Sequence, residues 1–277
     1  MKQRIITAVV AIALFIPVCV FSDTYIFPAA FAVLSAVAVW EIWRCVRTGA
    51  TIGTPLLYLP FYIVAAAGPF LPMLMSDWQT AYLVLFAADF VCLLYLFVIA
   101  VFSRGKFPAE HLFLIFTMCF YINISFASVV FLRQMNQGQY LYLLAFIAPW
   151  VSDTFAYFCG RAFGKHKLIP EVSPKKTIEG SVGGIVFAAL AFVVTGFIVG
   201  KWDPSVVPSY AVLAIAGAVI SVISQIGDLI ASVVKRRYGI KDYGWLFPGH
   251  GGVLDRFDSV LAAIPVLVLF SLVYPLL

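Results

Sequence analysis

Long runs of apolar residues, separated by short segments of turn residues and charges, make up most of the sequence. A helix that crosses a bilayer needs about 20 mainly apolar residues. About nine runs approach or reach that length, at residues 5–21, 25–44, 56–75, 80–102, 111–132, 139–159, 180–200, 209–234 and 252–276. They do not alternate apolar and polar residues, as membrane β-strands would. The pattern predicts an all-α, polytopic integral membrane protein.

We interpret residues 1–277 as a single membrane domain, with N-terminal helices one to five in 1–132 and catalytic helices six to nine in 133–277. Two segments between the later helices, 160–179 and 235–251, are longer and richer in charged residues than the other connections. We expect the chemistry of the protein to lie in these two loops and at the helix ends beside them.

The first and third runs have unusual features. The first run follows Lys2 and Arg4, as in a cleaved signal peptide, but it is longer than a usual signal core and lacks a small-residue cleavage site. We expect it to be retained as the first helix.

Pro60, Pro69 and Pro72 should bend the third run, since proline removes a helical hydrogen bond.

The positive charges are distributed unevenly between the predicted loops. With the amino terminus in the cytoplasm, all of the 18 Lys and Arg residues except Arg133 and Lys201 fall on the inner side. Because cations near helix ends set orientation, we expect a cytoplasmic amino terminus and an outer carboxyl terminus. The active site would then face the cytoplasm, in a bacterial inner (plasma) membrane.

The composition excludes a soluble protein. Only 11% of the residues are charged and 63% are hydrophobic, whereas soluble domains carry about 25% charged residues. The net charge of +5 lies at helix ends, so it does not indicate a nucleic-acid partner. The five cysteines are scattered through apolar runs without a CxxC pair, which favours buried thiols over zinc or disulfides.

Acidic residues within membrane helices are candidates for function, because each is costly to insert. Asp89 lies in the middle of a run, where it could simply form a hydrogen bond to a facing helix. The other acids, Asp153, Asp228, Asp255 and Asp258, cluster at cytoplasmic helix ends beside the basic loops. Their position favours a chemical role.

The eighth and ninth helices can supply carboxylates to a common metal ion. Asp228 shares one helical face with Ser232 and Lys235, and Asp255 shares a face with Asp258. Hard carboxylate oxygens suit Mg²⁺, which binds phosphates through one or two carboxylates. The alternative is an ordinary ion-pair network in which Asp228 pairs with Lys235 or Arg256.

The loop between these helices ends in His250, Gly251 and Gly252. Glycine lets backbone amides approach a ligand, and the amino terminus of a helix presents free N–H groups that suit phosphate. The cations flanking this glycine pair are Lys235, Arg236, Lys241 and Arg256. Together they indicate a metal–phosphate site.

The loop before the seventh helix contains Ser173-Pro174-Lys175-Lys176-Thr177. Serine before proline predicts a helix start, with Ser173 as the cap and Pro174 in the first helical position. The two lysines oppose the helix dipole there, so they suit an anionic ligand. A positive-inside anchor for the seventh helix is the alternative interpretation.

The segment Ser232–Asp258 reads S-x-V-K-R-x4-K-D-x-G-x2-F-P-x-H-G-G-x2-D-R-x-D. It resembles the signature of the phosphatidate cytidylyltransferases, also called CDP-diacylglycerol synthases. The Ser173–Gly180 loop and Ser152-Asp153 are similar to further motifs of that family. The resemblance covers the carboxyl-terminal half, whereas the amino-terminal half matches mainly in hydropathy.

The resemblance implies transfer of the cytidylyl group of CTP to phosphatidic acid, a membrane lipid, with release of pyrophosphate. The expected catalytic residues and metal ligands are Asp228, Asp255 and Asp258, binding Mg²⁺, with a second cation left open. The expected substrate-binding residues are Ser173, Lys175, Lys176, Thr177, Ser232, Lys235, Arg236, Lys241, His250, Gly251, Gly252 and Arg256. Supporting roles are expected for Asp153, Glu179 and Asp242, and a homodimer is left open.

Two alternative functions remain at this point. A CTP-dependent membrane lipid kinase, similar to the dolichol kinases, would transfer the γ-phosphate from a comparable site. A transporter of an anionic substrate would use carboxylates near the middle of the membrane. The acids crowd one membrane face, and no paired interrupted helices mark two halves, which disfavours transport.

Overall fold

The computed structural model describes residues 2–75 and 77–277, and these are largely helical. The α-helices are α1 Lys2–Val20, α2 Ile26–Arg47, α3 Leu59–Ala67, α4 Leu71–Leu74, α5 Trp78–Phe102, α6 Ala109–Gln134, α7 Gly138–Phe163, α8 Ile178–Trp202, α9 Tyr210–Arg237 and α10 Leu254–Val273. Two short strands, β1 Lys167–Ile169 and β2 Ser173–Thr177, pair antiparallel between α7 and α8. The described chain is thus an all-α protein with one small hairpin.

Within the described residues, eight helical segments are long and apolar enough to cross a membrane. They correspond to the second to ninth predicted runs, which confirms an all-α polytopic membrane protein. The first run forms α1, in which the apolar part Val9–Val20 is shorter than a membrane span. That α1 crosses the bilayer, and which side each terminus faces, stay predictions.

The third run is broken, as its prolines predict. The segment Pro55–Leu74 consists of the 3-10 turn Pro55–Tyr58, helix α3, a second 3-10 turn Gly68–Phe70 and helix α4. Proline lies at the start of each of these four pieces. Because proline cannot donate to the preceding turn, each piece begins a new hydrogen-bonding pattern.

The chain forms two units. The first contains the described residues up to Gln134 together with Lys235–Arg256, and the second contains Met135–Val234 and Phe257–Leu277. Helices α9 and α10 each contribute residues to both. The loop that follows α9 therefore belongs with the N-terminal helices.

In the first unit, α2 packs against α6, with Phe31 and Phe126 fully buried between them. A polar cluster lies in this apolar core: Asn123 Nδ2 donates to Asp89 Oδ1 at 2.9 Å, and Ser35 Oγ lies 3.5 Å from Asn123 Oδ1. Asp89 thus takes part in a hydrogen bond to a facing helix, as its structural interpretation predicts.

In the second unit, α7 and α8 approach so closely that the contact requires glycine. A Cβ on Gly180 would lie 2.5 Å from the Ala156 carbonyl oxygen, and one on Gly184 would lie 2.8 Å from the Ser152 carbonyl oxygen. Small residues allow such backbone approach between membrane helices. The contact fixes α7 relative to α8 beside the 160–179 loop.

The predicted start of the seventh helix is wrong. Ser173 and Pro174 lie in strand β2, and α8 begins at Ile178. Thr177 is the cap, and its Oγ1 accepts a hydrogen bond from Gly180 N at 3.1 Å. Pairing of β2 with β1 holds residues 173–177 in extended conformation, so the helix can start only after them.

Candidate active site

In the second unit, Lys176 and Asp228 form an ion pair. Lys176 Nζ lies 2.6 Å from Asp228 Oδ2, and their side chains are 24% and 27% exposed. Lys176 Nζ also lies 3.5 Å from the Gln225 carbonyl oxygen, one turn earlier on α9. The residue predicted to bind phosphate and the residue predicted to bind a metal therefore meet directly.

A hydrogen-bond network around Gln225 holds α7, α8 and α9 together one turn before Asp228. Ser181 Oγ donates to Gln225 Oε1 at 2.5 Å, and Gln225 Nε2 donates to Ser152 Oγ at 3.3 Å. Ser152 and Ser221 hydroxyls lie 2.7 Å apart. A buried network in which each member has partners is rigid, so it gives Asp228 a defined position.

Asp258 lies in the second turn of α10, next to the helix that carries Asp228. A Cβ on Gly227 would lie 2.6 Å from the Asp258 carbonyl oxygen, so the backbones of α9 and α10 nearly touch there. Ser259 N donates to Asp258 Oδ1 at 2.9 Å, and Ser259 Oγ donates to Asp153 Oδ2 at 2.9 Å. Asp153 on α7 thus joins the acids of this unit.

In the first unit, Asp255 is buried and both of its oxygens have protein donors. Its Oδ1 lies 2.9 Å from Lys235 Nζ, and the two side chains are only 3% and 13% exposed. Its Oδ2 accepts from Tyr243 N at 2.7 Å and from Gly252 N at 2.9 Å. Lys235 Nζ also lies 5.3 Å from the centre of the Tyr243 ring. The Asp255 carboxylate holds the two ends of the 235–251 loop together.

Glu41 on α2 is a further buried acid in this unit, and it was not among the site residues predicted from the sequence. The residue is 1% exposed, and its carboxylate accepts from Val253 N at 2.9 Å and from Leu254 N at 2.8 Å. A signal was present, since Glu41 is an acid inside the second apolar run, where acids are costly. Its partners, more than 200 positions away, were not readable from the sequence.

The amides at the start of α10 are therefore already bonded to carboxylates. The Asp255 carboxylate accepts a hydrogen bond from Gly252 N, and the Glu41 carboxylate accepts hydrogen bonds from Val253 N and Leu254 N. From the sequence, these amides were expected to bind substrate phosphate. Binding of phosphate through Gly251 and Gly252 stays a prediction, and at the amides named here it would have to displace a carboxylate.

The tip and base of the 235–251 loop have further anchors within the first unit. His111 Nδ1 lies 2.6 Å from the Tyr238 hydroxyl, and Thr48 Oγ1 donates to the Tyr238 carbonyl oxygen at 3.2 Å. Burial raises the pKa of the Tyr238 phenol. At the tip, Gly249 and Gly251 have φ values of +77° and +88°, which favour glycine.

Of the remaining predicted residues, Glu179 is held by hydrogen bonds, and the others are partly or fully exposed. Glu179 accepts hydrogen bonds from His166 N and lies 2.7 Å from His166 Nδ1, so it fastens the 160–179 loop. Ser173, Ser232 and His250 are partly exposed. The exposed residues are Lys175, Arg236, Lys241, Asp242 and Arg256. Their substrate roles stay predictions.

The donor set can be compared with the needs of Mg²⁺. Across residues 2–75 and 77–277, no three His, Cys, Asp or Glu side chains are grouped so that they could hold a metal ion by themselves. Mg²⁺ on a nucleotide needs only one or two carboxylates, since phosphates and water complete its shell. Asp228 and Asp258 fit that requirement. Asp255 stays a predicted ligand, although Lys235 and two amides already contact its carboxylate.

Comparison with known proteins places these residues in a family. The sequence model of the cytidylyltransferase family matches residues 2–274 of this chain. The phosphatidate cytidylyltransferase of Bacillus subtilis is 34% identical over 281 residues, covering 98% of this chain and 99% of that protein. The enzyme of the same name from Staphylococcus haemolyticus is 32% identical over 273 residues, covering 96% and 97%. That from Haemophilus influenzae is 32% identical over 289 residues, covering 96% of each.

The match includes both the N-terminal helices and the segments that carry Lys176, Asp228, Asp255 and Asp258. It therefore extends beyond the carboxyl-terminal half on which the resemblance first rested. A chain of which nearly the whole length matches in this way belongs to the cytidylyltransferase family.

Proposed function

We propose that this protein transfers the cytidylyl group of CTP to phosphatidic acid, giving CDP-diacylglycerol and pyrophosphate. A phosphate oxygen of the lipid forms a bond to the α-phosphorus of CTP. The bond from that phosphorus to the bridging oxygen breaks, and its electron pair leaves with pyrophosphate. The observation that carries the proposal is the Lys176–Asp228 pair beside Asp258, in a chain whose relatives named phosphatidate cytidylyltransferase match it almost end to end.

The chemistry requires charge neutralisation more than a nucleophilic side chain. Both substrates are anions, and the lipid phosphate is itself the nucleophile. Strand β2 and the Gln225 carbonyl position Lys176, and its single positive charge suits a phosphate oxygen. The exposed Lys175 precedes it on the same strand.

Asp228 and Asp258 would hold Mg²⁺. When bound, the ion would supply charge neutralisation at the α-phosphate and at the leaving pyrophosphate. The chain's own contribution is orientation, because the Gln225 network fixes Asp228 and the Ser259 amide fixes Asp258. Asp255 contributes differently, by holding Lys235 and the loop that follows α9.

Membrane residence suits this reaction. The acyl chains of phosphatidic acid stay in the bilayer, while its headgroup reaches Lys176 on β2 and Asp228 on α9, near the helix ends that carry most of the basic residues. CTP is water-soluble and arrives from the aqueous side. We propose that this side is the cytoplasm and that the membrane is the bacterial inner membrane, because the basic residues lie at these helix ends.

Labelled CTP tests the proposal against the kinase alternative. Purified protein in detergent micelles with phosphatidic acid and Mg²⁺ should move label from [α-³²P]CTP into lipid and release pyrophosphate. With [γ-³²P]CTP, no label should enter lipid. Lipid labelled only from the γ position would indicate a kinase. Uptake of an anion into proteoliposomes, without either transfer, would indicate a transporter.

A further inference from the structure

We infer that Glu41 is a positioning residue for the reaction, acting through the first turn of α10 rather than on substrate. The inference rests on the proposed function, since it assigns Glu41 a part in that same chemistry. Glu41 lies on α2, far in sequence from the signature segment, and its carboxylate closes the amino terminus of the helix that carries Asp255 and Asp258.

The contact has the form of a two-pronged helix cap. One carboxylate oxygen accepts from Val253 N at 2.9 Å and the other accepts from Leu254 N at 2.8 Å. The first N–H groups of a helix lack partners within the helix, and its amino terminus favours negative charge. Glu41 supplies both acceptor atoms from a side chain that is 1% exposed.

The loop is built to admit this carboxylate. A Cβ on Gly244 or on Gly252 would overlap the carboxylate of Glu41. Glu41 therefore favours glycine at both positions, and at Gly244 the Gly252 backbone is a further close neighbour. Backbone conformation is not the reason, since neither has a positive φ, unlike Gly249 and Gly251. Two glycines of the signature segment are thus explained by a residue outside it.

The cap and the Asp255 contacts act on consecutive amides. Gly252 N donates to Asp255, and the next two amides donate to Glu41. Asp255 in turn holds Lys235 at 2.9 Å. Loss of the cap would free the backbone on which Asp255 sits, and with it the orientation of Lys235.

Three variants of the full chain test the inference. Glu41→Gln keeps the size but places an amide NH₂ against one of two N–H donors, and Glu41→Asp keeps the charge but shortens the reach. Asp89→Asn is the matched control, because Asp89 is an equally buried acid of the same unit whose partner Asn123 lies on α6. Each protein is assayed for kcat and for KM with CTP, and amide hydrogen exchange is followed by mass spectrometry over residues 250–256.

We expect Glu41→Gln to lower kcat by about 10 to 100-fold, as a displacement near 1 Å does in other active sites, with a much smaller change in KM. Glu41→Asp should recover part of kcat, and Asp89→Asn should leave it near the wild-type value. Exchange at residues 252–254 should accelerate in Glu41→Gln and stay slow in Asp89→Asn.

Two results would overturn the inference. One is wild-type kcat in a folded Glu41→Gln protein. The other is a lower KM for CTP in that variant, which would mean that Glu41 blocks a phosphate site at the helix terminus. The exchange measurement needs no turnover, so it separates failure of this inference from failure of the proposed function, which would instead appear as absence of cytidylyl transfer by the wild-type protein.

Discussion

Lys176 Nζ lies 2.6 Å from Asp228 Oδ2, so a cation expected to bind phosphate and a carboxylate expected to bind metal neutralise each other. About a quarter of each side chain is exposed, which leaves the pair accessible to a ligand. A metal ion bound at Asp228 would compete with Lys176 for the carboxylate. The Lys176 ammonium would then be released to contact an incoming phosphate. In the ion pair, each of the two charges therefore compensates the other.

Replacing Lys176 by methionine should impair CTP use. The variant removes the positive charge and leaves Asp228 without its partner, so we expect kcat/KM for CTP to fall about 100-fold, or roughly 2.7 kcal/mol of transition-state stabilisation. Lys201→Met is the control, because Lys201 lies at the other end of α8 over the Phe197 ring. Equal activity of the two variants would contradict the role given to Lys176.

Replacing Asp258 by asparagine should remove turnover while leaving the protein folded. The shape is kept and Ser259 N can still donate to the side-chain oxygen, but the charge needed to hold Mg²⁺ is lost. We expect kcat to fall by about 100-fold or more with little change in Tm. Near-normal kcat in this variant would remove Asp258 from the metal site.

Asp255→Asn should behave differently from Asp258→Asn. Asparagine cannot satisfy Lys235 and two backbone N–H donors together, and it leaves a buried ammonium without its partner. Breaking a buried pair costs about 3 kcal/mol or more, so Tm should fall clearly along with activity. Thermal unfolding of both variants in the same detergent makes the comparison. A Tm equal to that of Asp258→Asn would show that Asp255 does not hold the loop.

Removal of divalent cations should abolish activity without unfolding the protein. The acids of the second unit already have protein partners, Lys176 for Asp228 and Ser259 for Asp153 and Asp258. EDTA should therefore stop cytidylyl transfer, Mg²⁺ should restore it, and Tm should change little. Full activity in EDTA would contradict a role for Mg²⁺.

The sequence by itself determined the helical membrane fold, because helix length and hydropathy are local properties. The prolines of the third run break it where they lie. The spacing of Asp228, Ser232 and Lys235 also placed them on one face of α9. Local signals failed at Ser173 and Pro174, where pairing with β1 overrides a helix-start pattern.

Only the tertiary structure decided which groups meet. The periodicity of a helix tells which face is buried, but not which neighbour covers it. Glu41 and Val253 are 212 positions apart, and nothing in either segment predicts the other. In the same way, the fold assigned Lys176 to Asp228 and Lys235 to Asp255, whereas the sequence had left Asp228 a choice between Lys235 and Arg256. Long-range pairing depends on how helices pack, and that is a property of the whole chain.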